Sequence, residues 1–325
     1  MRPSMTASVA RRRPGTGLFY LITSGLLWGT GGLTGSLLSR VAGLSAMSVA
    51  ACRLTAGGVL IVAFLTVTGR RPGWRPGRRP GRRHGRRHGR RPGRRWPVGR
   101  AAWTRIAVIG VLAALYQSCY FTAVALTSVA LATLVTIGTA PVIVLAVYRV
   151  TGRRSGRLTP VAAGLALVGL GLLVGLPSGF SEAAVLASAG MAVLAAAGFA
   201  AVTLIAGRPV PGLDELTVTG FAFTLGGLIL MPLTAALGGL SFRPGPEAIG
   251  LLIALGTGPT AVAYTLYFRG LRTAAASTAA LLTLLEPLTG AILAAFVLGQ
   301  RLSATGIVGA AILVAAVLVT VRDAH

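Results

Sequence analysis

The sequence predicts an all-α polytopic membrane protein, with ten transmembrane helices built as two inverted five-helix repeats. Three observations carry that expectation: the composition, the spacing of the apolar stretches, and a weak recurrence between the two halves. Of 325 residues, 54% are hydrophobic and 11% charged, with a mean hydropathy of +0.77. That balance excludes an ordinary water-soluble globule. A bilayer core of about 30 Å takes roughly 20 helical residues, and the charge-poor stretches have about that length.

In the first half the expected spans are 18–39, 46–68, 106–125, 128–150 and 159–176; in the second, 183–206, 213–237, 248–268, 274–298 and 303–321. The repeats then cover 18–176 and 183–321, flanked by tails at 1–17 and 322–325. The first stretch follows Arg11, Arg12 and Arg13. It reads as a retained anchor, because it is longer than a signal core, lacks a small-x-small cleavage site and leads directly into further spans. Cys52 and Cys119 fall inside spans, where they read as small buried residues, not as a disulfide framework.

Orientation comes from arginine alone, since the chain has no lysine. Alternating the ten spans from a cytoplasmic N-terminus leaves only Arg40, Arg243 and Arg301 outside, with Arg53 within a span. Every other arginine is cytoplasmic, as the positive-inside rule requires, so both termini are expected in the cytoplasm of a plasma or inner-membrane protein. Residues 70–100 are built largely from Arg, Gly, Pro and His and hold no core. They are expected to form a disordered cytoplasmic loop. Contact with anionic lipid is one use for it, while a biased tract that topology tolerates explains it as well. No specific nucleic-acid partner is expected.

Tyr120-Phe121-Thr122-Ala123 leads through a helix rich in small residues to Thr139-Ala140-Pro141. In the second half Tyr267-Phe268-Arg269-Gly270 leads to Leu285-Glu286-Pro287 at nearly the same spacing. Together with Leu27-Trp28-Gly29 in the first span and Arg53 in the second, this order resembles the ten-helix EamA-type family of the drug/metabolite transporter superfamily. The resemblance implies secondary-active transport of small metabolites, commonly amino acids or related compounds, frequently outward. The family often places a glutamate after the glycine closing the fourth and ninth spans; Arg153 and Gln300 stand there, so no argument from that acid carries over.

Glu286 is the acidic residue deepest in an expected span. A carboxylate facing lipid costs at least about 2.5 kcal/mol, so it should face the bundle interior, either binding a coupling proton or cationic group or locking the fold. Arg53 is its natural partner; alternatively it anchors an anionic substrate or snorkels to the outer headgroups. Pro141 and Pro287 are expected to interrupt their helices at matching depths, lining a cavity or simply kinking them.

Tyr116 and Tyr120 are i, i+4 and Tyr264 and Tyr267 are i, i+3, so each pair shares a face that can stack on a solute. Packing is the alternative for Trp28, and interface anchoring for Tyr267. Gln117 belongs in the interior because its amide needs partners. No nucleophile triad, phosphate loop or metal-ligand cluster is present, so no catalytic residue, metal or cofactor is expected and an enzyme is disfavoured. The expected partners are a small-molecule substrate, the lipid bilayer and protons as coupling ion. An exporter of cationic drugs is the alternative, ahead of a channel or a scaffold.

Overall fold

The computed structural model describes residues 14–68, 99–175, 179–211, 213–237, 242–299 and 303–324. The expected arginine-rich loop therefore lies almost wholly outside the described residues. Among those described, the chain is helical without a strand. The first five helices are α1 (Pro14–Ala42), α2 (Ala46–Val67), α3 (Arg100–Leu126), α4 (Val129–Val150) and α5 (Thr159–Val174). Then come α6 (Glu182–Ala206), α7 (Glu215–Ala236), α8 (Pro246–Leu255), a π-helical turn (Gly256–Val262) and α9 (Ala263–Gly270). The chain ends in α10 (Ala276–Leu282), α11 (Leu285–Leu298) and α12 (Ala304–Asp323).

Eight of these segments are long and apolar enough to cross a membrane, α8 to α9 and α10 to α11 each counting as one. The other two expected spans fall short for different reasons: α5 has 16 residues, and α1 has 29 but is diluted by Gly, Ser and Thr. The helix starts follow local chemistry. Ser45, Ser128, Ser181, Asp214 and Ser303 each accept a backbone N–H from the first turn of the helix they precede, the N-cap bond that satisfies an otherwise orphaned donor. α3 begins at Arg100, ahead of the expected start at 106, and in the added stretch Arg105 donates to the Ile205 and Arg208 carbonyls.

Prolines correct the expectation of two matched interruptions. α4 runs unbroken through Pro141, losing one hydrogen bond that neighbouring helices make tolerable. Pro287 is the third residue of α11, where its missing N–H costs nothing, and the break comes just before it at Thr283 and Leu284. A proline ring clashes with the carbonyl four residues back, which for Pro287 is that of Thr283. The unexpected irregularity is the π-turn around Pro259. Widening the helix there relieves the same clash at Leu255, whose carbonyl accepts the Thr260 hydroxyl at 2.8 Å.

Packing relates the two halves. α2 pairs with α7 and α5 with α12. α6 packs on α3 and α4, while α1 packs on α8, α9 and α11. Glycines permit the closest approaches: a Cβ on Gly25 would stand 2.7 Å from the Leu282 carbonyl, and one on Gly29 2.9 Å from that of Glu286. The absence of side chains on this face of α1 thus seats the α10–α11 junction beside Trp28.

Candidate functional site

A pocket lies among the middle portions of several helices. α1 contributes Trp28, α3 contributes Tyr116, α6 contributes Phe199 and α9 contributes Tyr264. Thr136, Ile137 and Ala140 come from α4, and Thr283 and Glu286 from the α10–α11 junction. The residue before each repeated proline, Ala140 before Pro141 and Glu286 before Pro287, faces this one space.

Aromatic rings build its wall. Trp28 sits 4.8 Å from the Tyr264 ring, 4.9 Å from Tyr267 and 6.0 Å from Phe199, centroid to centroid. Tyr116 reaches Phe199 at 5.6 Å and stacks on Tyr120 at 6.2 Å. These are the offset and edge-on separations aromatic rings prefer. Trp28 is 6% exposed, yet its indole Nε1 donates to no described residue. Tyr267 is 1% exposed and shares a 2.8 Å hydrogen bond with the Thr203 hydroxyl, so it is a buried packing residue behind Trp28 and not an interface anchor. The Tyr120 hydroxyl is 2.8 Å from that of Thr133.

Glu286 lines the pocket within the first turn of α11, where the helix dipole favours a negative charge. Arg53 does not pair with it: no ion pair within 4 Å joins the two, and the Arg53 Nε is buried without a hydrogen-bond partner. The reason is placement. Arg53 emerges from α2 against α1 near Gly31, where a Cβ would stand 3.9 Å from its Nη1 and 3.2 Å from the Pro259 ring, one helical turn along α1 from Trp28. Gln117 is interior as expected, at 2% exposure, but its amide nitrogen has no partner. Pro141 and Pro287 stand beside the pocket without lining it.

Phe199, Thr136 and Thr283 are wall residues that sequence reasoning did not single out. The available signal was an aromatic beside a glycine in both the first and sixth helices, Trp28-Gly29 and Gly198-Phe199. Thr136 also donates to the Ala192 carbonyl of α6 at 3.2 Å, joining two walls.

A second space lies at the ends of α3, α6, α7 and α9, lined by Arg105, Arg208, Glu215 and Arg272 among others. Arg105 donates to the carbonyls of Ile205 and Arg208, at the negative end of the α6 dipole. Arg272 pairs with Glu215 at 2.5 Å and donates to the Leu213 carbonyl at 3.2 Å. The Arg105 and Arg272 guanidinium groups are thus committed to closing that end of the bundle.

Comparisons with known proteins agree with this architecture. A solved crystal structure superposes with a TM-score of 0.73 at 21% identity, covering 95% of this chain and 99% of its own, a likeness of fold. The family model described as "EamA-like transporter family" matches residues 186–322. The uncharacterized transporter YwfM of Bacillus subtilis (strain 168) is 33% identical over 221 residues, which are 67% of this chain and 73% of the relative. With the apolar helices enclosing an interior pocket, these matches place the chain in the EamA-like transporter family, as a multi-pass membrane transporter.

Proposed function

We propose that the chain is a secondary-active carrier that exports a small metabolite, an amino acid or related compound, by alternating access around the central pocket. The observation that carries this reading is the convergence of both halves on one space, which Ala140 and Glu286 from the two proline motifs both line. The reading includes ten spans, α1 and α5 among them, in inverted repeats over 18–176 and 183–321. It is supported by the exchange of packing partners between halves, in which the first and sixth helices make corresponding contacts, as pseudo-symmetric carriers do. Both termini are placed in the cytoplasm and the protein in the plasma or inner membrane, on the arginine distribution.

Protons are the proposed coupling ion and Glu286 their acceptor, because a lone interior carboxyl can exchange a proton for a substrate group. The test is a metabolite screen in proteoliposomes holding the full chain, with and without an imposed pH gradient. Saturable, gradient-stimulated flux is expected for the wild type, and Glu286→Gln is expected to lose the stimulation. Unchanged flux and unchanged pH response in that variant would remove the coupling role. A second reading, export of an organic cation, is favoured by the single acid set in an aromatic wall.

A further inference from the structure

We propose that the arginine-rich end of the bundle is the inner gate of the carrier, closed by a latch of two struts between helix groups: Arg272 on Glu215, and the Tyr148 hydroxyl on the start of α10. Opening to the cytoplasm requires both struts to part. The inference rests on the alternating-access reading above and assigns the gate which that reading requires.

The helices sort into two groups by their packing. α3 lies on α4, α6 and α7, whereas α1 lies on α2, α8, α9 and α11. Between the groups α2 meets α7 backbone to backbone, where a Cβ on Gly58 would stand 2.3 Å from the Thr224 nitrogen and one on Gly227 2.6 Å from that of Thr55. The Thr55 and Thr224 hydroxyls donate along their own helices, to the Ala51 and Gly220 carbonyls at 2.9 and 2.8 Å. Close packing, not bonding by these hydroxyls, draws the groups together there.

Both struts of the latch cross from one group to the other at the arginine-rich end. Arg272, in the turn after α9, pairs with Glu215 at the start of α7 at 2.5 Å and donates to the Leu213 carbonyl at 3.2 Å. The second strut arises because α10 is preceded by Ala275, which has no side-chain oxygen to cap it. The Tyr148 hydroxyl of α4 takes that place, accepting the Ala276 N–H at 3.1 Å. A buried helix-start donor is costly to leave unpaired, so α4 and α10 separate only as water reaches that N–H. Toward the other end, the Thr127 and Ser188 hydroxyls, 2.8 Å apart, and the Ser188 bond to the Ala123 carbonyl at 3.0 Å stay within the α3 group.

Charge sets how firmly the latch holds. Among the described residues lining the space beside it, Glu215 is the acid and Arg105, Arg208 and Arg272 are the cations. Like charges in one partly buried space repel. Removing the carboxylate loses the pair and leaves the guanidinium groups facing one another, whereas removing Arg272 loses the pair and one repelling charge together.

A reporter in the central pocket tests this. Ala140→Cys, in the full chain with Cys52→Ala and Cys119→Ala, is modified by a membrane-impermeant cationic methanethiosulfonate in sealed right-side-out and inside-out vesicles. Adding Glu215→Gln is expected to speed modification from the cytoplasmic face at least tenfold and to slow it from the outer face. Arg272→Gln should speed it at least threefold, and the double variant no more than Glu215→Gln alone. Tyr148→Phe, which keeps the ring and loses the hydroxyl, should speed it at least twofold and stands in should Glu215→Gln fail to fold.

An unchanged cytoplasmic-face rate in the folded variant overturns the latch. So does equal acceleration from both faces, which is general loosening, or a double variant faster than Glu215→Gln. Unchanged rates in protein that still shows saturable solute flux would refute the latch and leave the carrier standing. One-sided acceleration in protein that moves no solute would do the reverse.

Discussion

Adding one methyl group at the α5–α12 crossing, by Gly169→Ala, should separate two helices that now touch through their backbones. An ideal Cβ on Gly169 would stand 2.9 Å from the Gly309 carbonyl oxygen and 2.9 Å from the Leu313 nitrogen. Neither is the end of a flexible side chain. Ordinary contact begins near 3.4 Å, so the helices must part by about 0.5 Å. Overpacking of this kind costs about 1–3 kcal/mol, against which alanine returns up to about 1 kcal/mol of helix propensity.

Gly164→Ala, on the same helix with nothing within 4 Å of its Cβ position, collects the propensity gain without the clash. The two variants should therefore differ by about 1–3 kcal/mol, with Gly169→Ala the less stable. Gly309→Ala, whose Cβ would meet the Gly169 carbonyl at 2.6 Å, should be at least as damaging. The assay is thermal unfolding in mild detergent followed by a thiol-reactive fluorogenic dye, since Cys52 and Cys119 are both free and buried. Equal melting of Gly169→Ala and Gly164→Ala would refute close backbone contact at this crossing.

Arg105→Gln gives up the charge-assisted bonds to the Ile205 and Arg208 carbonyls and should cost about 1–2 kcal/mol after solvent screening; Arg105→Lys should recover less than half, because an ammonium cannot span both acceptors. A double-mutant cycle on Arg272 and Glu215, 15% and 18% exposed at the side chain, should return a coupling of about 0.5–2 kcal/mol that shrinks with added salt. Tyr267→Phe keeps its ring against Trp28 and loses the bond to Thr203, which still donates to the Phe199 carbonyl. A loss of about 0.5–1.5 kcal/mol is expected in the same dye assay, and an unchanged melting temperature would count against that bond.

Much of the fold was legible along the chain. The helix starts expected near 46, 128, 183 and 303 fall within a residue or two of those observed because a serine stands at each boundary, ready to cap the first free N–H groups. The interior facing of Glu286 was legible too, since lipid has nothing to offer a carboxylate. Less was legible of the pocket. Glu286, Trp28, Tyr116 and Tyr264 converge on it, whereas Tyr267 packs behind Trp28 and Tyr120 turns to Thr133. The pairing of Arg53 with Glu286 failed because a residue's position along its helix says nothing about the direction in which its side chain leaves that helix. The π-turn at Pro259 was missed for a related reason: whether a proline widens, breaks or merely weakens a helix depends on what receives the carbonyl it displaces.

The sequence by itself determined where helices run, because a bilayer obliges each segment to satisfy its own backbone hydrogen bonds, and that demand is met locally by apolar length and capping residues. Only the tertiary structure decided which side chains share the pocket. That outcome depends on the rotation and crossing of each helix, fixed by backbone approaches at Gly25, Gly29, Gly169 and Gly309 to partners far away in the chain, and no local pattern encodes them.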